Sequence, residues 1–144
     1  MKPIPKLITT LLISLFASAG VAGELIAVYK SPTCGCCSAW IEHLKANGFD
    51  VQAHDTTRMD QVKQALGVQP QLASCHTAEV AGYVIEGHVP ASDIHRLLAE
   101  KPAVAGLAAP GMPMGSPGME GPRKDHYQVL TFDREGNSRV YAEH

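Results

Sequence analysis

The sequence predicts an α/β domain of order β-α-β-α-β-β-α, followed by a Gly/Pro/Met-rich loop and a C-terminal β-hairpin. Three observations carry that expectation. The apolar segment Leu25, Ile26, Ala27, Val28 and Tyr29 is followed by Cys37, Trp40, Ile41 and Leu44 at helical spacing. Phe49, Val51 and Ala53 then alternate with Asp50, Gln52 and His54, and strand, helix, strand at this spacing makes a parallel βαβ unit with a right-handed crossover. Further on, residues 77–80 and 83–86 flank Ala81 and Gly82, the pattern of an antiparallel hairpin.

Taken in order, residues 1–22 read as a secretory signal peptide. Lys2 and Lys6 form a basic start, 7–16 is an apolar run, and small residues offer cleavage positions between Ala19 and Ala22. The run falls short of the about 20 residues a membrane-spanning helix needs, and no other segment approaches that length. Export without a membrane span is the expectation, with residues 23–144 forming one domain. Without residues 1–22 the chain keeps every acid and loses two lysines, so its formal charge moves from −2 to −4. With no basic run or aromatic-interleaved patch, nucleic acid is not an expected partner.

The first strand is apolar throughout, as a central strand should be, and the second has one wet face, as an edge strand should. Ser31 or Thr33 is placed to cap the first helix, which Asn47 and Gly48 end. Thr57 and Asp60 resemble a capping box for a short second helix with Met59, Val62, Ala65 and Leu66 inward. Residues 69–71 read as a loop. A third helix carries Ile94, Leu97 and Leu98 inward and ends at Lys101 and Pro102. From 103 to 124 Gly, Pro, Ala and Met displace all periodicity, so a long loop is expected, and 127–132 with 139–142 form the closing hairpin.

Chemistry concentrates in Cys34, Gly35, Cys36 and Cys37, at the turn from the first strand into the first helix. A helix N-terminus favours thiolate over thiol. Cys34 and Cys37 form a C-x-x-C pair, which points to thiol–disulfide exchange with Cys34 as nucleophile and Cys37 as resolving thiol. Cys36, inside the pair, offers a competing partner. The three are too crowded for a structural staple, and so tight a loop would stabilise little. Bound metal is therefore expected in place of disulfides. Thiolates select Cu(I), zinc or iron–sulfur clusters. The iron–sulfur spacing is missing. Cys36 and Cys37 project about 100° apart on a helix, which suits sulfurs bridging several Cu(I) ions better than one tetrahedral zinc. Copper leads and zinc follows.

Methionines ordinarily fill cores, yet Met112, Met114 and Met119 lie among Pro and Gly with no apolar face to bury them. Thioethers are Cu(I) ligands, so Met112 and Met114 join the candidates. Among the seven histidines, His43, His54, His95, His126 and His144 read as ordinary, and His76 and His88 stand out by position. If 75–77 is extended, Cys75 and His76 point to opposite faces, so His76 joins the site only if the backbone turns there.

The element order resembles the thioredoxin fold, and Tyr83, Val84, Ile85, Glu86 and Gly87 before a helix resemble a glutaredoxin. Where that family carries a cis-proline before its third strand, this chain has Ser74, Cys75, His76 and Thr77. The resemblance implies that Cys75 lies across the site from Cys34, Cys36 and Cys37. Four runs in order are similar to the CopG-type family of periplasmic metal-binding proteins: Tyr29 to Cys37, Leu72 to Ala78, Gly82 to Pro90, and Pro110 to Met119. That resemblance covers nearly all of 23–144. It implies a thioredoxin-like fold, copper as the metal, a periplasmic location, other periplasmic copper-handling proteins as partners, and a role in copper resistance, with a redox role toward copper as an associated suggestion. The residues leave open whether the chain is an enzyme.

Overall fold

The computed structural model describes residues 23–144, so the expected signal peptide lies outside the described residues. The elements are β1 (Leu25–Lys30), α1 (Gly35–Ala46), β2 (Asp50–Asp55), α2 (Met59–Ala65), β3 (Thr77–Val80), β4 (Tyr83–Gly87), α3 (Ala91–Glu100), β5 (Gly106–Ala109), β6 (Gln128–Phe132) and β7 (Ser138–Glu143). All seven strands join one sheet in the order β2-β1-β3-β4-β5-β6-β7. β1 pairs parallel with β2, and β3 antiparallel with β4, both as expected, and β1 also pairs antiparallel with β3. β2 is an edge strand.

One strand was not legible. β5 lies inside the expected loop, parallel to β4 and antiparallel to β6, so β4, α3 and β5 form a second βαβ unit. It has four residues, all buried, and so shows no alternation. A Cβ on Gly106 would sit 1.8 Å from the Val84 carbonyl oxygen, so glycine is what lets the two backbones meet. Through β5 the closing hairpin extends the main sheet instead of standing apart.

Other local expectations also shift. Neither Ser31 nor Thr33 caps α1; their hydroxyls face each other at 3.3 Å, and the Cys34 sulfur accepts the Cys37 N–H at 3.3 Å instead. The capping box at Thr57 does not form. Arg58 holds the cap position and its N–H donates to the Thr56 hydroxyl. Pro70–Leu72 is a single 3-10 turn, which Pro70 favours through its fixed φ. In β2, Ala53 is exposed while His54 is half-buried against the Tyr29 ring.

Two apolar clusters pack against the sheet. On one face Trp40, Ile41 and Leu44 of α1 and Ile94 and Leu97 of α3 cover Ile26, Val28, Ala78 and Ile85. The Trp40 indole N–H donates to the Val89 carbonyl at 2.8 Å, which satisfies its one buried polar atom. A smaller cluster of Val68, Leu72, Val84, Ala108 and Phe132 lies apart from it. Val84 and Ile85 thus point to opposite faces of β4, as strand geometry requires. Glu86, two residues from Val84, faces the α2 side, beside Thr77 in the β3–β4 register. Among the described residues no helix is long and apolar enough to cross a membrane.

Candidate metal centre

The site forms where the first turn of α1 meets the bend before β3. β1 delivers the chain to Cys34, and α1 then spaces Cys36 and Cys37 around its N-terminus. On the other side, residues 73–76 leave the 3-10 turn and bend at Cys75 before β3 begins. The Cys75 sulfur lies 3.8 Å from that of Cys36 and 3.5 Å from that of Cys37, and the Cys36 sulfur lies 3.5 Å from that of Cys34. All four sulfurs lie within 4.8 Å of one another.

Adjacency of Cys36 and Cys37 is thus no obstacle to convergence, because both reach Cys75. A tetrahedral S4 site with metal–sulfur bonds of about 2.3 Å has edges of about 3.8 Å. Three of the sulfur contacts, at 3.5 to 3.8 Å, lie close to that edge, but Cys34 and Cys37 are bonded to each other, so the four sulfurs as they stand do not form that tetrahedron. Cys34 and Cys37 are joined by a disulfide, while Cys36 and Cys75 carry free thiols, against the expectation that no cysteine would pair.

His76 and His88 are both fully buried and both reach Cys75. The backbone bend brings the His76 Nδ1 to 3.3 Å from the Cys75 sulfur, and the His88 Nε2 lies at 3.1 Å. The His88 Nδ1 lies 2.8 Å from the Pro117 carbonyl oxygen, which can accept only from an N–H. That contact fixes the tautomer and turns the Nε2 lone pair toward the sulfur. His76 lies 4.3 Å from Trp40, ring centre to ring centre, and meets the edge of His88; its Nε2 is buried without a hydrogen-bond partner.

Burial, and then the facing Cys36, push the Cys75 thiol up to about 11. Burial holds His76 down at about 3, with His88 and Lys63 adding to the effect, and lowers His88 as well. A protonated thiol facing two neutral imidazoles is the arrangement a cation can enter by displacing a proton.

The loop between β5 and β6 closes over this pole. Ser116 is buried, and hydrogen bonds from Gly115 N–H to the Met119 carbonyl and from Met119 N–H to the Ser116 carbonyl tie the loop to itself. A Cβ on Gly118 would lie 2.7 Å from the Cys36 carbonyl oxygen and 2.8 Å from the Trp40 nitrogen, so glycine allows the loop to rest on α1. The methionines separate. Met112 is 53% exposed and lines a cavity of about 300 Å3 with Ala73, Ser74, Cys75 and Gly111. Met114 is clipped into the loop by Asp125, whose N–H donates to the Met114 carbonyl and whose side-chain carboxylate accepts the Met114 N–H, and it does not line that cavity.

Of the ordinary histidines, His43 accepts the Ala91 N–H at the start of α3, His54 stacks on Tyr29, His95 stacks on Phe49, and His144 meets Asp93. None of them is in the sulfur cluster. Sequence reasoning missed Glu86 and Lys63 beside the Cys75 bend, and an acid inside a strand-period apolar run was the available signal.

Known proteins divide on this chain in an informative way. No curated protein matches it. A family model described as "Protein of unknown function, DUF411" matches residues 72–119, the stretch holding Cys75, His76, His88 and the methionines. Two solved structures named "Copper resistance protein copG", Form 2 and Form 1, align with TM-scores of 0.80 and 0.79. Each is 48% identical and covers 85% of this chain and 98% of its own. The chain belongs to the CopG family of copper resistance proteins. The mixed α/β architecture matches these CopG structures, and the chain's cysteine cluster is a group that could hold a metal ion.

Proposed function

We propose that the chain is an exported, periplasmic protein of copper resistance that holds Cu(I) through Cys34, Cys36, Cys37 and Cys75, with His88 and His76 completing the set. The observation that carries this reading is the meeting of two donor groups at Cys75, which belongs both to a cluster of four sulfurs from two distant segments and to a group with the buried imidazoles of His76 and His88. Soft thiolate and imidazole donors suit Cu(I), and zinc is the lesser fit. Using all four sulfurs requires the Cys34–Cys37 disulfide to take two electrons and two protons from a dithiol reductant, giving two thiols. Met112, exposed at the mouth of the Cys75 cavity, is the thioether through which copper is received from other periplasmic copper-handling proteins. Met114 is a loop residue. A thiolate-bridged multi-copper site is the finer form of the proposal, and a redox role toward copper would make the protein a copper-linked oxidoreductase.

The test is metal analysis of reduced protein loaded with Cu(I) under zinc competition, paired with a thiol count. More than one copper per chain, with all four thiols protected, supports bridging. One copper per chain supports a single ion, and zinc displacing copper overturns the metal assignment.

The disulfide favours a second reading, thiol–disulfide exchange by Cys34 and Cys37 with Cys75 beside them. Catalytic turnover of a disulfide substrate by the copper-free protein, lost in Cys34→Ser, would support it.

A further inference from the structure

The most deeply buried charge in the described residues lies beside the sulfur cluster, and metal ligation makes no use of it. Glu86 of β4 is fully buried, and Lys63 of α2 lies over it with 12% of its side chain exposed. The Glu86 Oε1 accepts from the Lys63 ammonium at 2.5 Å and from the Ser74 N–H at 2.7 Å. Its Oε2 accepts from the Thr77 hydroxyl at 2.6 Å, and that hydroxyl oxygen accepts from Lys63 at 2.9 Å. Gly87, the next residue, donates its N–H to the His76 carbonyl at 3.1 Å.

Every partner of the Glu86 carboxylate except Lys63 thus belongs to residues 74–77, on both sides of Cys75. That bend carries the one sulfur that both free ends of the site contact, Cys36 and Cys37 on one side and His76 and His88 on the other.

A buried ion pair is a poor device for stability. Removing two charges from water carries a large desolvation cost, and well-packed apolar residues of similar volume are often neutral or stabilising replacements. The small apolar cluster on this side of the sheet, with Val84 and Leu72 nearby in sequence, offers an apolar setting. What apolar side chains cannot do is hold a backbone N–H and a hydroxyl at fixed positions around a bend. We infer that the Lys63–Glu86 pair is a positioning device for the metal site: it locks residues 74–77 so that the Cys75 sulfur stays where the other ligands meet. Glu86 and Lys63 are positioning residues and touch no metal. The role rests on the Cu(I) proposal above, and the test separates the two.

The Lys63→Met/Glu86→Leu double variant removes the charges together and keeps the volume roughly constant. Its melting temperature should equal or exceed that of the wild type, while its Cu(I) dissociation constant, read by chelator competition on reduced protein, should rise about 10- to 100-fold, the range typical of lost outer-sphere support. Cys75 in the reduced, copper-free double variant should alkylate faster than in wild type, with Cys36 unchanged as internal reference. Unchanged affinity together with unchanged Cys75 alkylation overturns the inference. Should the wild type take up no Cu(I), the functional proposal fails and the Cys75 alkylation rate alone decides the positioning role. If the double variant does not fold, Thr77→Val, which removes one of the bonds to Glu86 and keeps the ion pair, carries the test through Cu(I) affinity and Cys75 alkylation alone, with the same directions for those two and the same overturning result.

Discussion

The two halves of the sulfur cluster are built in opposite ways. Cys34, Cys36 and Cys37 are placed by local structure, because a strand ending at Lys30 and a helix beginning at Gly35 leave the sulfurs around one helix turn. Cys75 has no such support. Its bend is held from β4, from α2 and, through the Ser74 hydroxyl donating to the Gly111 carbonyl, from the long loop. A contiguous motif can thus be complete in sequence while the site it serves depends on contacts remote from it. Local placement makes the motif robust, and remote placement makes Cys75 the sensitive member.

The largest expected effect comes from removing one sulfur on each side. Cys75→Ser should impair Cu(I) binding at least as severely as Cys36→Ser, measured as copper per chain after dialysis. A Cys75→Ser protein that retains wild-type copper would show that the contiguous half suffices alone.

Next in size is Gly118→Ala. Its φ of +86° is costly for alanine, and the new Cβ would meet backbone atoms of α1, which cannot swing away as a side chain could. Strain of this kind costs of order 1–3 kcal/mol. The lifted loop should also withdraw the Pro117 carbonyl from His88, weakening Cu(I) binding by about tenfold or more. A variant with wild-type melting temperature and affinity would mean that the loop does not press on the site.

The methionine contrast is smaller. Met112→Leu keeps apolar volume and should slow Cu(I) acquisition from a soluble chelate, whereas Met114→Leu should not. Equal rates in both variants, read by stopped-flow, would remove the distinction the cavity draws between them.

The smallest effect is a pH dependence of stability in copper-free protein. An unfolded histidine binds a proton near pH 6.5, while buried His76 stays neutral down to about 3. Below pH 6.5 the unfolded chain therefore holds the extra proton, so the stability present above that pH is lost as pH falls toward 3. His76→Phe keeps the ring against Trp40 and removes the titration. Its melting temperature should drop less between pH 7 and pH 5 than that of the wild type, and an equal drop would locate the effect in other groups.

Much of this was legible because it is written locally. The apolar β1, the i, i+3, i+4 face of α1 and the Ala81–Gly82 hairpin each declare themselves within a few residues. β5 did not, since a fully buried four-residue strand opening on glycine has neither alternation nor length. The α1 cap did not, because Cys34 does what Ser31 and Thr33 were placed to do. In the site, the four cysteines and two histidines were found by residue type, yet the approach of His76 depended on a bend that no periodicity encodes. Glu86 and Lys63 were missed for the same reason, since α2 and β4 come together only in the folded chain.

The sulfur of Cys34 has a second attachment whose consequence is mechanical. It receives the Cys37 amide proton at the open end of α1, the helix whose Trp40 and Leu44 are fully buried. A negatively charged sulfur grips that proton more strongly than a neutral one and is favoured by the helix dipole. Each change in what the sulfur is bonded to therefore alters the tension on the first turn, and with it the rate at which that turn frays. Deuterium uptake at the Cys37 amide should then read the chemical condition of the cluster from the backbone, like a gauge attached to the wall of the vessel.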